Sequence, residues 1–337
     1  MGVLKKLLYI LSVLSLSSCY ETFTPDISSK PVLCLNSLIQ AGEPIDIKVS
    51  HTWLYTNENI EDKGKVEDAV IFIYVNDQEV TLDYIPKEGD IIKIIAESKT
   101  YGKAESEVIV PYSPVIKSFD WEITEYTLST ENEIQDENEM HLNFNFNLNI
   151  RLTLSDNYAE TNYYNLKYKP FYKYDFDNNE ENNEESEINQ YVWLMIGSLR
   201  YESEPLFFEH IEQTDAVFGE PSGIPFFTDR QFSGSEYTLN LQFTGGKLQA
   251  TSEIWDNSLL NSGIELTLNS ISKSYYDWEM YYIQSNSSIL GDLTNLGFSD
   301  PIWGYSNVST GAGVVAAKSS IKFIINLKKF IEENLDN

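Results

Sequence analysis

The sequence predicts an all-β protein. An immunoglobulin-like sandwich spans residues 31–112, and a larger antiparallel β domain, an open barrel or a sandwich, spans 113–337 with one or two short helices. Three observations carry this prediction. Short apolar runs separated by turn residues recur between residues 31 and 112. A strict two-residue alternation runs unbroken over residues 141–154. Between the two, Pro111-Tyr112-Ser113-Pro114 sets two prolines within four residues, which opposes helix and ladder continuation alike and marks a boundary.

In the first unit the expected strands are 32–39, 44–51, 68–75, 79–84, 90–97 and 104–110. Ala41-Gly42, Asn76-Asp77, Glu88-Gly89 and Tyr101-Gly102 supply the turns between them. Ile45, Ile47 and Val49 alternate with Asp46, Lys48 and Ser50, giving one dry face and one wet face. Residues 69–75 are apolar throughout, which predicts a central strand covered on both sides. The Cys…Trp…Cys pattern of true immunoglobulin domains is absent, so the topology within the sandwich class stays open.

The second unit opens on the alternation itself. Leu142, Phe144, Phe146, Leu148, Ile150, Leu152 and Leu154 share one face, and His141, Asn143, Asn145, Asn147, Asn149, Arg151 and Thr153 share the other. A strand of that length reaches roughly 46 Å, which suits a long curled sheet. Its asparagine row faces solvent, or else a polar lumen or ligand groove. Further strands are expected at 163–174, 190–198, 237–244, 247–254 and 263–270, with Gly245-Gly246 as a tight hairpin turn. A helix is expected to start at Ser274 as N-cap with Asp277 at N3. Its stripes, Tyr275/Trp278/Tyr282 and Tyr276/Met280/Ile283, predict an apolar face packed on the sheet. Two late strands near 301–308 and 313–326 precede a final helix over 327–335, with Leu327, Phe330, Ile331 and Leu335 on one side.

The first nineteen residues address the chain. Lys5 and Lys6 form a positive region, residues 7–16 are apolar, and small side chains lead to Cys19. An apolar helix of that length spans about 15 Å, roughly half a bilayer core, so residues 1–18 read as a cleaved signal peptide. Leu16-Ser17-Ser18-Cys19 resembles the lipobox of bacterial lipoproteins, which implies acylation of Cys19 and a lipidated tether over residues 19–30. The plain alternative is an ordinary signal peptide that leaves Cys19 a free thiol. With Cys19 acylated, Cys34 has no disulfide partner, and its apolar setting predicts a small buried side chain.

The full chain has a net charge of −29, and losing Lys5 and Lys6 with the leader takes it to −31. Such a surface repels phosphate backbones and anionic headgroups, so no nucleic acid is expected as a partner and the lipid is the membrane anchor. Residues 175–187 are rich in acids and asparagines. Asp175, Asp177 and Asn179 match the first ligand positions of an EF-hand loop. Glu180 then stands where that loop needs glycine and Ser186 where it needs glutamate, so a solvated acidic loop is the expectation. Gly311-Ala312-Gly313-Val314-Val315-Ala316 fits G-x-G-x-x-A without a βαβ context, which predicts a glycine-relieved strand or bulge and no cofactor. Ser222 in Gly219-Glu220-Pro221-Ser222-Gly223 reads as a turn residue. His51, His141 and His210 form no ligand or catalytic spacing, and no enzyme is expected.

Several stretches together resemble a family of Bacteroidota outer-membrane lipoproteins, domain of unknown function 4249. They are Cys19 after its lipobox, Pro31-Val32-Leu33-Cys34-Leu35-Asn36-Ser37-Leu38-Ile39, Val66-Glu67-Asp68-Ala69-Val70, Tyr275-Tyr276-Asp277-Trp278, and Tyr305-Ser306-Asn307-Val308-Ser309-Thr310-Gly311-Ala312-Gly313-Val314. The chain departs from the family in its acidic insert and at Ala316-Ala317. The resemblance implies an accessory role beside a TonB-dependent transporter, with the periplasmic or extracellular face open. The leading expectation is therefore a non-catalytic, lipid-anchored outer-membrane accessory protein that assists such a transporter or binds a nutrient. A structural or adhesive surface lipoprotein is the alternative, and an unrecognised hydrolase comes third.

Overall fold

The computed structural model describes residues 30–52, 64–132, 140–156, 160–174, 192–209, 223–251, 260–285 and 304–335. The first strands are β1 (Leu33–Gln40), β2 (Lys48–His51), β3 (Val70–Val75), β4 (Gln78–Val80), β5 (Ile91–Ser98) and β6 (Gly102–Ile109). After them come β7 (Val115–Asn132), β8 (Met140–Ser155), β9 (Tyr163–Tyr174), β10 (Val192–Met195) and β11 (Ser198–Leu199). Two 3-10 turns, Tyr201–Ser203 and Pro205–Phe208, precede β12 (Phe226–Thr228), β13 (Glu236–Thr251) and β14 (Leu260–Ile271). Helix α1 (Lys273–Ser285), β15 (Val315–Asn326) and helix α2 (Leu327–Leu335) complete the order.

The protein is all-β, built as sandwiches, and among the described residues no sheet closes into a barrel. A six-stranded sheet runs β12-β9-β14-β15-β1-β2, a five-stranded one runs β10-β13-β8-β7 with β11 on β13, and a four-stranded one runs β4-β3-β5-β6. One face of the six-stranded sheet receives both others. Leu33, Leu35, Val315 and Ala317 pack with Ile73, Ile92, Ile94 and Val108 beneath the four-stranded sheet. Leu166, Ile264, Leu266 and Ile325 pack with Phe144, Leu148, Ile150 and Leu241 beneath the five-stranded sheet. At the seam the buried Ser319 hydroxyl donates to the Pro111 carbonyl at 2.6 Å, so the proline segment crosses β15 where its cover changes.

β15 is the shared member. It pairs in parallel with β1, Ser37 opposite Val315 through Gln40 opposite Lys318, and antiparallel with β14. Pro111–Pro114 is thus a crossing between covering sheets, and Val32–Asn337 group as one unit across it. The Gly311/Gly313 pair serves this junction. A Cβ on Gly311 would lie 2.6 Å from the Leu33 carbonyl oxygen, and one on Gly313, at φ +114°, 2.2 Å from that of Leu35. Only glycine lets the segment run so close to β1, where Ala312 exchanges main-chain hydrogen bonds with Leu33 and Leu35.

Local departures from the expected elements have physical causes. β7, the longest described strand, was hidden in the sequence by two bulges, at Ile116/Ser118 and Ile123/Glu125. They shift the apolar phase from Ile116 to Phe119 and from Ile123 to Tyr126, so no single alternation runs through it. The expected hairpin at Gly245-Gly246 is instead a bulge inside one continuous strand, β13. Among residues 304–308 no strand forms ahead of β15, and 301–303 lie outside the described residues. Asn76 and Asp77, both at positive φ, make the tight β3–β4 hairpin turn. On β3 only one face is covered: Ile73 and Val75 are buried, while Val70 is exposed and Phe72 and Tyr74 are half-exposed. The first sandwich therefore depends on β15 from the far end of the chain. A fragment of residues 31–112 is expected to stay unfolded by far-UV circular dichroism, whereas an independent domain would show a cooperative thermal transition.

Candidate functional site

β8 runs through the middle of the five-stranded sheet and turns its apolar residues inward. Its outward asparagine row forms a ladder of cross-strand contacts. Gln249 Nε2 donates to Asn143 Oδ1 at 2.6 Å, and Asn145 Nδ2 donates to Thr127 Oγ1 at 3.1 Å. Thr153 Oγ1 lies 3.0 Å from Ser118 Oγ and 2.9 Å from Thr238 Oγ1. An amide side chain suits such a row because it offers a donor and an acceptor at once.

The bulges of β7 and β13 meet at one point of this row. β7 slips between its partners Leu148 and Asn147, and β13 slips between Leu148 and Phe146. Asn147 joins the two. Its Nδ2 donates to Glu125 Oε2 at 2.9 Å, and its Oδ1 accepts from the Gly245 main-chain nitrogen at 3.0 Å. Gly246 is required there, since a Cβ would lie 2.5 Å from the Phe146 ring. The displaced strands leave an open groove of about 300 Å³ lined by Glu125, Thr127, Asn145, Asn147, Met195 and Lys247. Amide, carboxylate, hydroxyl, ammonium and an exposed thioether thus converge on one spot. That set suits a small polar ligand held by hydrogen bonds, with Met195 beneath an apolar part of it. The asparagine row was expected to face solvent or a polar lumen or groove. Glu125, Met195 and Lys247 were missed, because they come from three strands, β7, β10 and β13, that only the pairing of β13 with β10 and β8 and of β8 with β7 brings together.

A second aromatic surface surrounds α1. Ser272 caps the helix, its hydroxyl accepting from the Tyr275 nitrogen at 3.3 Å, whereas the expected cap Ser274 donates to the Val315 carbonyl at 3.0 Å. The apolar face packs on the sheet through Tyr275, Ile271, Phe226 and Ala316. At its outer end Tyr282 stacks on Trp278 with ring centres 5.8 Å apart and is 54% exposed.

Other sequence candidates are not gathered into a site. Cys19, Asp175, Asp177, Asn179, Ser222 and His210 lie outside the described residues, and nothing is described of the His141 side chain. His51 stacks on Tyr101 at 4.4 Å and contacts the Thr52 carbonyl through Nδ1 at 3.0 Å, a packed histidine. Cys34 is half-buried, and burial lifts its thiol although Ser50 opposes the shift. Among the described residues no group of three or more metal-ligating side chains forms.

Sandwich architecture and a polar groove on one sheet define this molecule's class: an all-β protein with a candidate binding face. The chain belongs to the family described as a domain of unknown function (DUF4249), whose model matches residues 20–322. No curated protein and no solved structure matches it.

Two outcomes follow for the site. Asn147→Ala removes contacts to both bulges and is expected to lower stability by about 1–2 kcal/mol in urea unfolding. Asn147→Asp keeps the acceptor for Gly245 but sets a second carboxylate against Glu125, so its cost should be larger at neutral pH than in mild acid. In the helix region, burial and neighbouring acids push the Tyr275, Tyr276 and Tyr305 hydroxyls up to about 12: Glu279 for Tyr275, Glu209 for Tyr276 and Asp277 for Tyr305. The folded state thus favours the neutral phenols. Their contribution is whole below the unfolded value of about 10 and is lost as pH climbs toward 12. Alkaline titration followed by tyrosinate absorbance should show a late group that ionises together with loss of tertiary signal.

Proposed function

We propose that this chain is a non-catalytic accessory protein of a bacterial outer membrane, anchored by lipid on Cys19, that binds a polar nutrient for a TonB-dependent transporter. The groove at Asn147 carries the reading. It is a polar concavity on a β-sheet surface, built by two coincident bulges and free of any nucleophile–histidine pair among the residues that line it. The leader-like start, Cys19 and the family resemblance support the anchor and the compartment.

The test is co-purification from the native organism after mild detergent extraction. A transporter of the outer membrane should accompany the protein, and an intact mass should carry acyl groups on Cys19. Asn145→Ala/Lys247→Ala should keep the fold and the anchor while weakening retention of the ligand about tenfold or more. Recovery as a lone, unacylated monomer under every growth condition would remove both anchor and transporter.

One observation favours the structural or adhesive alternative. The outer face of the four-stranded sheet carries Val70, Phe72, Ile91, Ile95 and Ile109, with Phe72 opposite Ile95 and Ile91 opposite Ile109. These apolar residues share the face with the Lys93–Glu105 and Lys103–Glu105 ion pairs, and such a mixed surface suits protein contact more than capture of a small molecule.

A further inference from the structure

We propose that Asp156 and Asp229, at one end of the larger sandwich, form a site for a hard divalent cation of the calcium class. Asp156 directly follows β8 of the five-stranded sheet, and Asp229 directly follows β12 of the six-stranded sheet. Asn162, just before β9, holds both. Its main-chain nitrogen and Nδ2 donate to Asp229 Oδ2 at 2.9 and 2.7 Å, and Nδ2 also reaches Asp156 Oδ1 at 3.1 Å. The Gly234 nitrogen donates to Asp156 Oδ2 at 2.7 Å. One amide nitrogen touching both carboxylates places the two acids side by side.

The remaining oxygen points to a ligand. Asp229 is 0% exposed, and its Oδ1 has no hydrogen-bond partner. Other buried acids in this chain are treated differently. Glu204 takes the Leu206 nitrogen and the Tyr237 hydroxyl on Oε1 and the Asn240 nitrogen on Oε2. Asp90 takes Asn76 on Oδ1, and Tyr84 and the Lys87 nitrogen on Oδ2. Burial first, and after it Asp156, by its charge and by direct carboxyl-to-carboxyl hydrogen bonding, hold the Asp229 carboxyl above the ordinary carboxylate range, although Asn162 opposes the shift. Two acids this close, one fully buried and the other half-buried, need a cation or a shared proton between them.

The donors favour the cation. Carboxylate oxygens are joined by the Glu160 carbonyl, which like them accepts from Asn162 Nδ2, at 3.3 Å, so a cation would take the place of that nitrogen, with the amide turned to present its oxygen. All are hard oxygen donors, as calcium prefers. A cation there would tie the ends of the two facing sheets together.

The full mature protein, stripped with EDTA, is titrated with calcium chloride and followed by calorimetry and thermal unfolding. Millimolar calcium is expected to raise Tm by several degrees, as binding to the folded state requires. Asp229→Asn and Asp156→Asn should each weaken calcium binding about tenfold or more, and Asp175→Asn/Asp177→Asn should leave it unchanged. Should both ligand variants fail to fold, terbium gives a second readout on the unaltered site. Tyr164, whose hydroxyl is raised by burial and by both acids, should sensitise terbium emission, and Tyr164→Phe should dim it. An unaltered protein that gains no stability from calcium overturns the proposal. So does a calcium response that survives in both ligand variants, or an Asp229→Asn protein that is more stable without calcium, the mark of a shared proton.

Discussion

The parallel pairing of β1 with β15 is the constraint on which the rest of the molecule depends. β15 supplies Val315 and Ala317 to one core, Ile325 to the other and, on its opposite face, Ala316 to the seat of α1. Neither sandwich is complete without it. Because β1 begins the described fold and β15 nearly ends it, the core beneath the four-stranded sheet waits for a contact between opposite ends of that fold, while the larger core takes β15 through its neighbour β14. Closing so long a loop costs only slowly growing entropy, but the pairing must find its register late, which makes such topologies slow to fold. Gly311 and Gly313 remove the steric obstacle to that register, since any side chain there would strike the carbonyls of β1.

The asparagine face obeys a related logic. A sixteen-residue strand between neighbours of eighteen and sixteen residues accumulates twist, and bulges relieve it where pairing slips. Here the slips on both sides fall at Phe146–Leu148, and Asn147 meets the groups they displace. The same relaxation that lets the sheet curl over the core also opens the groove. Binding geometry and fold geometry therefore have one cause at this spot. A ligand in the groove would bear on the sheet's curvature, and the curvature would set the spacing of the groove's polar atoms.

Much of this was legible in the sequence. β9 runs over 163–174 as its composition indicates, β8 follows its alternation to within a residue, and α2 lies over 327–335 with Leu327 and Ile331 fully buried. The hidden parts are those where local pattern and tertiary demand diverge. Gly245-Gly246 reads as a turn because glycine permits one, yet the β8 ladder and the Phe146 ring hold the chain straight through it. The cap of α1 moved from Ser274 to Ser272 because β15 claims the Ser274 hydroxyl. The asparagine row was visible as a face. Its groove was not, since no window of sequence contains Glu125, Asn147, Met195 and Lys247 together.

The acidity of the chain also has a structural side. Several acids take main-chain donors at places where a ladder ends and its N–H groups would lack partners. Asp68 receives Lys99, Asp90 receives Lys87, Asp156 receives Gly234, and Glu204 receives Leu206 and Asn240. A charged acceptor makes such contacts stronger than a neutral one would, so carboxylates are suited to strand ends that no neighbouring strand covers. Each of these groups is stabilised by donors it has drawn in, and its charge is absorbed locally. Asp229 stands apart, with both of its donated bonds on one oxygen and a second acid close by. Asp90 and Glu204, the other buried acids among the described residues, take donors on both oxygens, and the asymmetry at Asp229 is what the proposed cation would complete.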